Sequence, residues 1–328
     1  MVIQGPVVGT NASPSEVCTT AAVVESVRRF LPNAEVILST WEGTDCDHIP
    51  ADIVVKSKDP GALPVNVSTS HVVYNNLNRM LVSTQAGLAL CSRPYSIKLR
   101  TDTPLRGTPD YALIKPVVCE SFSPLFDQRI LVPNIYTRHP LKRPVLFHLS
   151  DLVQFGSTAA LRTLWCIPLV DDPLFTTWNR NRDRSRFNVY PENEYNFRCA
   201  PEQYLVETLA RQISPKLFLK HAGDGGISWL FLWLRLLSTH FVIQPYEKFF
   251  ATLPNRLAEQ SNAFDLFAEE DLPWLERWGR KHIPFSLRLE AIFAYSNAKR
   301  NFTRPGIYQT CKTGAKRTLR KFLRGSRK

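Results

Sequence analysis

Residues 30–43 read Phe30-Leu31-Pro32-Asn33-Ala34-Glu35-Val36-Ile37-Leu38-Ser39-Thr40-Trp41-Glu42-Gly43. Within them, Ala34 to Thr40 is an apolar run of strand length whose far end opens into a polar tip, Ser39 to Gly43. On its N-terminal side Val17, Ala21, Val24, Val27 and Phe30 recur at helical spacing. That helix is expected from about Pro14, because Ser13 as N-cap, Pro14 at the first helical position and Glu16 make a capping box. Residues 1–7 read as a strand ending in Gly5-Pro6. Strand, helix and strand in succession form the unit of a parallel sheet with helices on its faces.

The alternation continues along the chain. Asp52 to Ser57 reads as a third strand, about Ser70 to Cys91 as a returning helix, and Tyr95 to Arg100 as a fourth strand. Residues 145–149 supply a further strand candidate, Ser157 caps a helix through Trp165, and Pro201 opens one through Gln212. Residues 171–200, rich in Asp, Arg, Asn and Pro, are expected to form a long functional or disordered loop. The apolar run from Trp229 to Leu237 contains Arg235 and is about half the length that spans a bilayer, so it reads as a buried helix. The fold class is therefore α/β, a mostly parallel sheet flanked by helices with a helical C-terminal region.

Bulk composition narrows the function classes. The chain has 328 residues, 44% hydrophobic and 21% charged, which suits one large folded domain with an appended region and excludes a disordered chain. Its net charge of +12 suggests nucleic acid until it is located. After Glu290 there is no acid, while eleven cations run from Lys299 to Lys328, leaving 41 − 11 = 30 basic against 29 acidic residues before them. The body is thus nearly neutral, and no nucleic-acid partner is expected. Seven cysteines without metal-knuckle spacing, and no leader before the first strand, read as a cytoplasmic protein with reduced thiols. No Gly-x-Gly-x-x-Gly follows the first strand and no Gly-x-Ser-x-Gly occurs, which disfavours dinucleotide oxidoreductases and serine hydrolases.

In open α/β sheets ligands bind beyond the carboxyl ends of the strands. Those ends carry Gln4, Gly5 and Pro6, then Thr40, Trp41 and Glu42, then Asp59 with Gly61, then Arg100-Thr101-Asp102. Each residue alone reads equally as a turn residue. Lys98, Arg100 and Asp102 alternate along the fourth strand, so their side chains share one face. A central parallel strand should be apolar there, and charges persist inside only when paired or set in a polar site. A diphosphate with a divalent cation would satisfy them, and a local ion pair at a sheet edge would too.

The ordered series Val2-Ile3-Gln4-Gly5-Pro6-Val7, residues 30–43, Asp59-Pro60-Gly61, Asn76-Leu77-Asn78-Arg79, residues 98–102, residues 149–156 and Ala200-Pro201-Glu202-Gln203-Tyr204 resembles the WavE family of lipopolysaccharide synthesis proteins. The resemblance implies a glycosyltransferase of GT-A type, with a nucleotide-sugar-binding half over 1–115, an acceptor-binding half with the helical region over 116–290, and a basic tail over 291–328. It further implies a nucleotide-sugar donor, a glycan or lipid-linked acceptor, and Mn2+ or Mg2+ held by Asp102, with His221 as a weaker ligand. Arg-Thr-Asp here supplies one carboxylate where the usual Asp-x-Asp supplies two. Asp151 and Glu202 are the candidate bases toward the acceptor hydroxyl, with capping or turn roles as the alternatives. Arg79 is a candidate donor contact, although a solvated helical face suits it as well.

Residues 314–324 place Ala315, Leu319, Phe322 and Leu323 on one helical face among cations, so the tail is expected to lie on the anionic inner face of the cytoplasmic membrane. Two rival functions remain: a nucleotidyltransferase or other nucleotide-sugar enzyme on the same sheet, and a nucleic-acid-binding protein using the tail.

Overall fold

The computed structural model describes residues 1–9, 18–68, 71–171, 175–176, 197–258 and 263–302. It is an α/β fold built on a 7-stranded sheet. The first elements are β1 (Val2–Gln4), α1 (Thr20–Phe30), β2 (Ile37–Trp41) and β3 (Ile53–Ser57). A separate hairpin of β4 (Leu63–Ser68) and β5 (His71–Asn75) leads into α2 (Leu77–Ala89) and β6 (Tyr95–Arg100). The remainder comprises β7 (Ile130–Pro133), β8 (Gln154–Ser157), α3 (Thr158–Trp165), α4 (Pro201–Ala210), α5 (Ile227–His240), β9 (Phe241–Gln244) and α6 (Phe285–Phe302).

The strand order is β3-β2-β1-β6-β8-β7-β9. The first four are parallel, β8 runs antiparallel to β6 and β7, and β9 is parallel to β7. Consequently the chain leaving β1, β2, β3, β6, β7 and β9, and the chain entering β8, all reach one edge of the sheet. Side chains alternate between two cores as the pleat requires: Val2 and Ile37 pack with α2 and α3, while Ile3 and Leu38 pack with α1.

The parallel strands β1, β2, β3 and β6 and the helices opened by Ser157 and Pro201 follow the sequence reading; β4, β5, β7, β8 and β9 are not expected from it, and three expectations are corrected. The first helix begins at Thr20, where the Thr19 hydroxyl accepts from the Ala22 amide at 3.2 Å. Ser13, Pro14 and Glu16 lie outside the described residues. The helix expected from Ser70 begins at Leu77, because the β-branched run before it forms the hairpin, and the Asn75 carboxamide accepts from the Leu77 amide at 2.8 Å. Residues 145–149 form no strand. Their apolar side chains are buried in the core from a loop in which Phe147 holds a φ of 60°, a left-handed value no strand accommodates. Most of 171–200 lies outside the described residues.

The run from Trp229 to Leu237 lies within α5, and among the described residues no helix is long and apolar enough to cross a membrane. The six described cysteines are free thiols.

Helix α2 lies flush on β1 and β2 at Gly87, where an added Cβ would sit 2.4 Å from Val2 Cγ1 and 3.3 Å from Ser39 Cβ. A Gly87→Val variant should therefore lower the free energy of unfolding by about 1–3 kcal/mol through overpacking. The urea midpoint, read at unchanged m-value, checks this, and an unshifted midpoint would show that the contact yields freely.

Candidate active site

Strand β6 is central, between β1 and β8, so the charges it carries are interior ones. Lys98 is buried, with its ammonium donating to the Asp151 carbonyl oxygen and lying 4.7 Å from the ring centroid of Trp165. Its register partner Gln154 receives the Trp165 indole N–H at 2.6 Å and donates to the Ser150 carbonyl at 2.9 Å. The lysine thus fastens the 150–151 turn onto the end of β6. The local ion pair considered from sequence does form, between Arg100 and Asp102, but at the end of a central strand rather than an edge strand.

One residue beyond the lysine's face-mate, the chain turns and presents Asp102. Arg100 donates from Nε to Asp102 Oδ1 at 2.8 Å and from an Nη to Oδ2 at 2.9 Å, a two-pronged pairing. The Asp102 side chain is 5% exposed and that of Arg100 32%, so the arginine is the more exposed member of the pair. Burial works against the arginine charge, but the Asp102 hydrogen bonds and the fields of Asp102 and Asp151 outweigh it and raise its pKa.

Beside Arg100, β1 ends in a buried Gln4, whose Oε1 accepts from Ser83 of α2 at 2.7 Å. Gly5 follows at φ 122°, a left-handed value suited to glycine, and Pro6 accepts from the Thr101 hydroxyl at 2.6 Å through its carbonyl. Thr40 and Trp41 end β2, two strand spacings or about 10 Å from β6, and the Glu42 amide bonds to Ser57. Farther out, Asp59 and Arg79 pair with each other at 2.8 and 2.7 Å, and the arginine holds the Asp59 carboxyl below its usual range.

From the other side comes the segment entering β8. Residues 134–148 bend back through two left-handed non-glycine residues, Tyr136 at φ 62° and Phe147 at φ 60°. Such strain persists only where the surroundings enforce it. His148 follows, buried, with Nδ1 at 2.8 Å from the Tyr136 carbonyl and Nε2 at 4.0 Å from Glu202 Oε2. Desolvation, helped by the Arg138 charge, lowers the His148 pKa to about 3, so the ring is neutral. A carbonyl accepts only, hence Nδ1 carries the proton and Nε2 is left as an acceptor.

Glu202 sits in the first turn of α4, as its position after Pro201 foretells. Gln203 secures that turn by donating to the Leu146 and Ala222 carbonyls, both at 2.9 Å. Asp151 is buried, and the charges of Asp151, Asp102 and Glu202 all act on Lys98. The fold therefore brings Lys98, Arg100, Asp102, Asp151 and Glu202 together, flanked by Gln4, Gly5 and Pro6. His148 and Tyr136 join them unforeseen; the one available signal was His148 standing just ahead of Leu149-Ser150-Asp151.

A divalent cation fits this donor set poorly. Both Asp102 oxygens are engaged by Arg100, and among the described residues no three His, Cys, Asp or Glu gather as ligands. His221 lies in the turn before α5, where its carbonyl accepts from the Asp224 amide at 2.8 Å.

A family model for WavE lipopolysaccharide synthesis matches residues 1–305. The chain belongs to the WavE lipopolysaccharide synthesis family. The match takes in both sides of the sheet edge, from Gln4 to Glu202, and stops short of most of the basic tail. No curated protein and no solved structure matches this WavE chain. Membership gives a role in lipopolysaccharide synthesis.

Burial lowers the Lys98 pKa from 10.5 to about 8 against the pull of Asp151 and Asp102. Between those two values the unfolded chain binds the proton and the folded chain releases it, so Lys98 makes stability rise with pH across that window. The slope is at most about 1.4 kcal/mol per pH unit. Unfolding free energies at pH 8 to 10 should show this rise in the wild type and lose it in Lys98→Met. Equal slopes would place the lysine in water.

Proposed function

We propose that this WavE chain transfers a sugar from a nucleoside diphosphate donor to a lipopolysaccharide or other surface-glycan acceptor. The single observation that carries the reading is the Arg100 guanidinium, braced by buried Asp102 at the carboxyl edge of the sheet, with Asp151 close enough for its charge to act on it. Gly5 lies beside it at the end of β1, and Trp41 at the next strand but one suits the nucleotide base.

On this reading Arg100 meets the negative charge that develops on the departing diphosphate, a task for a fixed cation in a partly dry site. Lys98 lies behind the site and holds the Asp151 turn in place. A carboxylate, Asp151 or Glu202, takes the proton from the acceptor hydroxyl as the new glycosidic bond forms and the sugar–phosphate bond breaks. No step is routed through a metal, because the carboxylate expected to hold it is turned onto Arg100. The basic segment after Glu290 would keep the enzyme at an anionic membrane, where lipid-linked acceptors reside.

Incubation with UDP-, GDP-, ADP- and CMP-sugars and deacylated lipopolysaccharide should release a nucleoside phosphate. Pyrophosphate in its place would favour the nucleotidyltransferase reading.

Arg100→Ala should weaken binding of the cognate nucleotide, found by calorimetry across UDP, GDP, ADP and CMP, by roughly tenfold to a hundredfold, the scale of a charge-assisted hydrogen bond. Undiminished affinity would take the phosphate away from β6. Of the isosteric variants Asp151→Asn and Glu202→Gln, one should retain that affinity and lose about 10²–10⁴ in turnover, which identifies the base.

A further inference from the structure

Helix α6 is apolar on two opposite sides. Leu287, Ala291 and Tyr295, spaced four apart, are buried against the body. Phe285, Leu289 and Phe293, spaced in the same way, lie about 160° around the helix from them at 100° per residue. Among the described residues that outer stripe has no cover: Phe285 is 73% exposed and Phe293 64%, with Leu289 part-exposed between them. Two phenylalanines left this far in water on one stripe mark a contact surface.

The charge around the stripe says what the contact is. Arg288 stands exposed beside Phe285, and Arg300 is exposed one heptad after Phe293 on the same face. Glu290 is the last acid in the sequence, and eleven cations follow it from Lys299 onward. Next to the stripe a groove lined by Phe122, Phe231, Leu232, Trp278 and Ile283 also borders Arg288 and adds one further guanidinium group, Arg235. Apolar rings flanked by cations match a bilayer of anionic lipid, which takes the rings below the headgroups and leaves the guanidinium groups among the phosphates. No described helix can cross the membrane, so the contact is a surface one.

We propose that the outer face of α6 is a membrane-insertion face, in which Phe285 and Phe293 enter the headgroup boundary of an anionic bilayer beside the basic segment. This deepens the membrane part of the functional reading and rests on it for the tail alone; it is independent of the sugar-transfer chemistry. Attraction of the tail by itself would be fully screened by salt, whereas buried rings give a component that salt does not remove.

The test is vesicle sedimentation of the full chain with phosphatidylglycerol–phosphatidylethanolamine vesicles at 0.1 and 0.5 M NaCl, comparing wild type with Phe285→Ser/Phe293→Ser. Both positions are exposed, so unchanged circular dichroism confirms the fold of the variant. The wild type should bind and keep a salt-resistant fraction, and the variant should bind about tenfold more weakly at low salt and lose that fraction. Complete release of the wild type at high salt, with the variant binding equally at low salt, would leave the tail reading standing and overturn insertion. Absence of any wild-type binding would overturn both. A wild-type dimer that the double substitution makes monomeric, without vesicle binding, would assign the stripe to a second copy.

Discussion

An ammonium group taken out of water must be met by oxygen or aromatic electron density, and the arrangement of the sheet edge follows from how that requirement is satisfied at Lys98. A water-exposed lysine would leave the 150–151 turn free to move. Buried, it draws the Asp151 carbonyl onto the end of β6, rests against Trp165 at the end of α3, and pairs in register with Gln154 at the start of β8. The interaction binds together two parts of the sheet that differ in strand direction, parallel up to β6 and antiparallel at β8. Because of that reversal, the chain entering β8 arrives where the chain leaving β6 departs.

Two electrostatic regions with different capacities gather around Lys98 there. On the β6 side, a guanidinium with both acid oxygens of Asp102 behind it offers donors only. On the β8 side, the carboxylates of Asp151 and Glu202 accept, and His148 joins them as an acceptor because its other nitrogen is committed to Tyr136. The first region suits phosphate oxygens and rejects hydroxyl donors that have nothing to accept them. The second suits hydroxyls and repels phosphate. On the proposed reading, charge alone would orient the substrate pair with the diphosphate toward β6 and the sugar alcohol toward α4.

How far this could be read from sequence depended on the range of the interactions concerned. Local signals read well: Ser157 caps α3, Pro201 opens α4, and Tyr95 to Arg100 is β6 at both ends. The alternation of Lys98 and Arg100 also gave their shared face. The hairpin before α2 was lost because its valines permit strand and helix alike until pairing partners are known. Residues 145–149 read as a strand from sequence because burial and strand pairing both favour apolar residues, and only the left-handed backbone at Phe147 distinguishes them. His148 and Tyr136 were out of reach, since their relation to Glu202 and Arg100 is made by chain reversal across more than 30 residues.

The single carboxylate of Arg-Thr-Asp acquires a physical meaning in this setting. Two acids at the end of β6 would gather cations from solution, and a metal would be the natural partner. One acid with an arginine two residues earlier forms a closed pair, because the turn that follows Arg100 brings the Asp102 carboxylate back onto the last residue of the strand and the guanidinium fork matches it. A buried carboxylate of this kind is costly to leave uncompensated, so the arginine is held in one orientation rather than sampling solvent. On the proposed reading, the positive charge that other enzymes borrow from a dissolved ion is here covalently part of the strand. Its position is then set by the register Gln4 to Arg100, which also sets the glycine and proline beside it.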